Sequence, residues 1–169
     1  MGDFDFIAEK VKAFKDAEEA KKAKAEEEKA TLQARIAKNE DLVENCIRKV
    51  IFPVLHEAKK ALVSSGVKAE ADTIVYTDAA TGKQKYTGAN LQIITGKRGK
   101  VNSSTDSVNG PLLSFHGGFG ANTVITSKIE VWEKEPKELS VIEAESNEVT
   151  ADIVKEQIKR LVDYAFREQ

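Results

Sequence analysis

Residues 42–66, LVENCIRKVIFPVLHEAKKALVSSG, decide how the rest of the chain is read. Val43, Cys46, Ile47, Val50, Val54, Ala58, Ala61 and Leu62 recur at spacings of mostly three and four, one wide face of a helix. Leu42, Ile51 and Leu55 widen that face, which predicts burial on more than one side. Asn39, Glu40 and Asp41 suit a helix start, since an Asn caps free amides and carboxylates suit the first turn. Gly66 suits the stop, because glycine takes the left-handed conformation without strain. Pro53 removes one helical hydrogen bond and crowds the carbonyl of Lys49, so a kink is expected at 49–53.

Sequence on the two sides of this stretch is unlike. Upstream, Phe4, Ile7, Val11 and Phe14 form an apolar stripe at helical spacing. Residues 17–31, AEEAKKAKAEEEKAT, carry no large apolar side chain and are helical by propensity. From Leu32 a stripe resumes through Ile36. Extended by heptads, the first stripe meets Glu18, Lys21 and Glu28, so the two stripes are expected out of register. Between Gly2 and Pro53 there is neither Gly nor Pro. One long helix and two helices broken at Lys38-Asn39 both remain open.

Downstream the period changes to two. Val67, Ala69 and Ala71 alternate with Lys68, Glu70 and Asp72, and residues 73–77 are β-branched and aromatic. Asp78 to Lys83 is a turn, and Tyr86 to Thr95 a second strand with Thr87, Ala89, Leu91 and Ile93 on one face. Residues 112–115 and 121–132 read as two more strands, the latter with Ile125, Ile129 and Val131 opposite Thr126, Lys128 and Glu130. That alternation predicts an antiparallel sheet with one wet face. Leu139, Val141 and Ile142 read as a short edge strand. Thr150 is placed to cap a last helix whose apolar face is Val154, Ile158, Leu161, Val162 and Ala165.

The predicted fold class is α+β: a long N-terminal helical segment, a four- to five-stranded, mostly antiparallel sheet, and a C-terminal helix packed on the sheet. The predicted domains are a charged amphipathic helical extension, 1–38, and an α+β domain, 39–169.

Composition narrows the function classes. The sequence has 41% hydrophobic and 32% charged residues, no apolar run of membrane-spanning length and no secretory signal pattern. A single cysteine on an apolar helix face fits a reducing, cytoplasmic setting and a soluble protein. The net charge of −2 argues against a nucleic-acid partner. Charge is nevertheless uneven: seven Lys/Arg face four Asp/Glu over Gly66–Lys128, and six face eleven from Ile129 onward.

Motifs for chemistry are sparse. HGGFG at 116–120 resembles the oxyanion loop of lipases and esterases, but those enzymes also need G-x-S-x-G, which this sequence lacks. Glycines in a hairpin turn account for the same residues. His56 and His116 with one cysteine have no metal-site spacing, so neither a metal nor a cofactor is predicted, and no catalytic residue is assigned. The anion-site candidate is GKRGK at 96–100, with Lys97, Arg98 and Lys100, joined by His116 of the next loop.

Two functions are carried forward. The first is a non-enzymatic protein-interaction or oligomerisation module, with Phe4, Ile7, Val11 and Phe14 meeting a second copy, as a dimer, or another protein. The second is a small ligand-binding or enzymatic domain using the 96–110 and 116–122 loops for an anionic ligand.

Overall fold

The computed structural model describes residues 5–79, 81–94, 110–118, 120, 122–132 and 136–167. Helix α1 runs Asp5–Cys46 without interruption, continues as a π-helical segment Ile47–Ile51, and is followed by α2, Phe52–Ser64. Five strands come next: β1 Ala69–Thr77, β2 Gln84–Ile93, β3 Leu112–Gly117, β4 Val124–Trp132 and β5 Pro136–Glu145. Helix α3, Ala151–Ala165, follows. The α+β class stands. The chain divides into two units, Met1–Lys38 and Asn39–Gln169, with the boundary inside α1.

In unit 39–169 the strands form one sheet in the order β1-β2-β3-β4-β5, each antiparallel to its neighbour. The register puts Ala71 beside Leu91, Leu91 beside Leu113, and Leu113 beside Ile129. All four belong to the buried core. Helix α2 packs on β1 and β2, the π segment on β2, and α3 on α2 and β3, so the helices share this face. Glu70, Asp72 and His116 alternate with core positions and are exposed, which is the wet face that alternation predicts. The last strand is longer than Leu139, Val141 and Ile142 suggested: it pairs with β4 from Pro136 to Glu145.

Pro53 makes its mark one residue upstream. The N–H of Phe52 bonds the carbonyl of Ile47, five residues back, and α2 then starts with Pro53 in its first turn. There the missing donor costs least. The wider turn inserts one residue into the helical phase. Buried positions therefore step from Val43 and Ile47 to Ile51 and Leu55, whereas a regular helix would use Val50 and Val54. Those two are only partly buried, and Ala61 is exposed. Ile51 and Leu55, read as widening the face, thus carry its burial, while the Val50–Val54–Ala61 line read as its centre is one residue out of phase and Leu42 is exposed.

Asn39, read as a helix start, lies inside the continuous α1, but the other two expected helix ends behave as their residues dictate. Gly66 has φ +82°; its N–H bonds Val63 O at 3.0 Å and that of Val67 bonds Leu62 O at 3.0 Å, a Schellman ending. Thr150 Oγ1 accepts from Ile153 N at 3.4 Å at the start of α3.

Gly117 is not a turn residue. It lies in β3 opposite Ile125, and a Cβ there would stand 2.1 Å from Val43 Cγ1. The absent side chain lets the helix carrying Val43 lie close on β3.

In unit 1–38 the described residues form helix only. At 100° per residue, Ile7, Val11, Phe14, Leu32 and Ile36 fall within an arc of about 60°. The stripes that a heptad count sets out of register share a face in a straight α-helix, because such a helix drifts by about 20° per heptad.

Candidate functional site

The described cleft of unit 39–169 holds about 450 Å³ where three strand ends meet the last turns of α1. The hairpin register sets Tyr76 of β1 against Lys85 of β2, and Tyr86 and Thr87 follow on the same strand. Glu40 and Val43 line it from α1, and Gly118 lines it from the end of β3.

Its charges are committed to one another. Lys85 Nζ donates to Glu40 Oε2. That hydrogen bond is the main reason the Lys85 ammonium is held above its ordinary pKa; partial burial opposes it, and Glu40, Asp78 and Asp41 add attraction. The amine therefore stays protonated and is no nucleophile near neutral pH. Arg48 stacks over the Tyr86 ring at 4.9 Å and reaches Glu44 at 3.4 Å. Asp78 accepts from Thr81 N at 3.1 Å, fixing the turn beside the cleft. The arrangement clamps helix residues 40–48 onto the β1–β2 hairpin. It was not legible in the sequence, because Lys85 and Glu40 are 45 residues apart. The one available signal was Glu40 in the first turn of the expected helix, which capping explained equally well.

Lys97, Arg98 and Lys100 lie outside the described residues, as does most of the 96–110 loop. His116 lies on β3 between Gly88 and Thr126, on the exposed face of the sheet. Partial desolvation lowers its pKa; Glu130 counteracts this and Lys128 adds to it. Of the 116–122 loop, Gly118 reaches the cleft and Asn122 turns back, its Oδ1 accepting from Val124 N at 2.8 Å.

Cys46 is buried, and burial pushes its thiol up to about 11, so it is unreactive at neutral pH. Among the described residues no group of three or more His, Cys, Asp or Glu is placed to hold a metal ion. None of the described helices is long and apolar enough to cross a membrane.

The other candidate is the helix of unit 1–38. Phe4 lies outside the described residues. Ile7 is 47% exposed, Val11 48% and Phe14 67%, and Phe6 beside them is 56% exposed. Leu32 further along is also exposed. Every described side chain from Phe6 to Arg35 is exposed. Comparison with protein-family models, with curated proteins and with solved structures finds no match for this chain.

Proposed function

We propose that the chain is a non-enzymatic interaction module of the cytoplasm, in which unit 39–169 is a folded anchor and the helix of unit 1–38 engages another protein chain. The observation that carries this reading is the uncovered stripe of Ile7, Val11 and Phe14. Apolar side chains gathered on one face of a helix gain free energy when a second surface removes them from water. The cleft lends no support to catalysis, since its lysine is held protonated by Glu40.

A photoreactive residue placed at position 14 of the full-length chain and activated in living cells tests the reading. Discrete higher-mass adducts are expected there. Few are expected from position 34, where Ala34 stands on the opposite side of the helix. No adduct at position 14, or equal yields at both positions, would overturn it.

A further inference from the structure

We infer that the partner of the 1–38 helix is a different protein, one that takes the stripe of Ile7, Val11 and Phe14 into a short apolar groove whose two rims carry carboxylates. The inference rests on the interaction reading above and adds to it the chemistry of the partner.

The sides of the helix on which the charges stand carry it. At 100° per residue, and with Ile7 taken as zero, Val11 stands at about +40° and Phe14 at about −20°. Lys10 then stands at about −60° and Lys15 at about +80°, each about 40° outside one edge of the stripe. Both lysines are exposed, and neither makes an ion pair among the described residues. Glu9 and Asp16 stand at about −160° and 180°, on the opposite side of the helix, and Lys12 stands at about +140°, also behind. The stripe thus has a cation on each flank and, among the described residues, no flanking carboxylate. Glu18, at about +20°, falls on the line of the stripe and ends it.

Apolar residues three and four apart on one helix face are the anchors that an apolar groove takes. The groove floor removes them from water, and the residues beside them meet its polar rims. Rims that carry Asp or Glu are complementary to Lys10 on one flank and to Lys15 on the other, and such complementarity fixes the rotation of the helix in the groove. The methylene stems of the two lysines extend the apolar surface toward those rims while their ammonium groups reach the carboxylates.

Two other occupants fit this stretch less well. The same stretch of a second copy, stripe against stripe, sets flank against flank, so lysine meets lysine whether the copies run parallel or antiparallel. An anionic lipid surface attracts a segment through its excess of cations, and residues 3–16 carry three Lys against four Asp/Glu. An apolar arc of about 60° is also a narrow seam rather than a broad face.

The full-length chain with the photoreactive residue at position 14 tests it in living cells, with single charges reversed. Lys10→Glu is expected to lower the yield of adduct to the other protein about tenfold, and Lys15→Glu to lower it similarly. Lys12→Glu should leave the yield within about twofold. Helix strain does not account for that order, because Lys12→Glu adds a carboxylate three residues from Glu9 and four from Asp16, whereas the residues three and four from Lys10 are uncharged. Carbodiimide treatment of the adduct should then join Lys10 and Lys15, but not Lys12, to Asp or Glu side chains of the captured protein, as read by peptide mass mapping. A yield unchanged by Lys10→Glu, or lowered equally by Lys12→Glu, would overturn the acidic rims and leave the interaction reading standing. Adducts only between copies of this chain would overturn the different protein as partner. Pelleting of the unsubstituted chain with phosphatidylserine vesicles, lost in Lys10→Glu, would assign the flanks to a lipid surface and overturn it as well. No adduct at position 14 in the chain with its charges intact would remove both readings.

Discussion

Two stretches of one continuous helix meet opposite fates. Val43 and Cys46, near the end of α1, are buried at 4% and 5% exposure, whereas Val11 and Phe14, spaced in the same three-four pattern, lie in water. Spacing is therefore not what separates them. The first pair has a sheet to cover it, with Gly117 cleared of a side chain so that Val43 can come close. The second pair sits in a unit whose described residues are helix alone, where alanine, glutamate and lysine favour helix by propensity. An amphipathic stripe states a requirement for burial, and only the rest of the fold determines whether that requirement is met within the chain.

The contrast can be broken most severely at Leu55. Leu55→Asp would place an unpaired carboxylate at a fully buried site and cost at least several kcal/mol. Loss of the cooperative thermal transition is expected, while Phe14→Asp should leave the transition of unit 39–169 within about 0.5 kcal/mol of the original. Calorimetry on both variants checks the pair. A smaller effect is expected of Gly117→Ala, whose new methyl group overlaps Val43 Cγ1. A loss of about 1–3 kcal/mol should appear in urea denaturation. Gly117→Ala with Val43→Ala should recover part of it, because the clash is between those two positions.

Thr150→Ala removes the side-chain acceptor for Ile153 N and should cost about 1 kcal/mol, again read from the urea midpoint. The smallest effect concerns Cys46. With its thiol pKa raised to about 11, the native chain should resist alkylation at pH 8 and react promptly in denaturant. The folded chain holds this proton more tightly than the unfolded one. The associated stability is thus complete below the ordinary thiol pKa and is lost as pH rises from there through about 11. Rapid alkylation of the native chain at pH 8 would mean that the α1 end near Cys46 opens readily.

Much of the architecture was legible because the relevant signals are local. Period-two alternation around Ala69, Leu91 and Ile129 set the strands and their buried face, and Gly66 and Thr150 marked helix ends that the structure reproduces. What could not be read depends on contacts between distant residues or on exact geometry. The π turn is one case: Pro53 announced a disturbance, but not the one-residue phase shift that makes Ile51 and Leu55, rather than Val50 and Val54, the most buried positions of the widened face. Gly117 is another, since turn chemistry and close packing both call for glycine. The Glu40–Lys85 clamp needed the helix and hairpin already folded together. Of the proposed anion site, only His116 is among the described residues, and the exposed face it occupies follows from its alternation with Phe115.

The strand order has a kinetic consequence. Each strand pairs with its sequence neighbour, so the sheet can assemble by successive hairpins without waiting for remote segments to meet. Helix α3 is different: it packs on α2, roughly ninety residues earlier, and on β3, so it has a surface to bind only after both exist. It is expected to be the last element to acquire amide protection in pulsed hydrogen exchange. Refolding arrested before that step would leave the core face of β3, which carries Leu113, without the helix that packs on it, which makes the interval before α3 docks a time of aggregation risk for this chain.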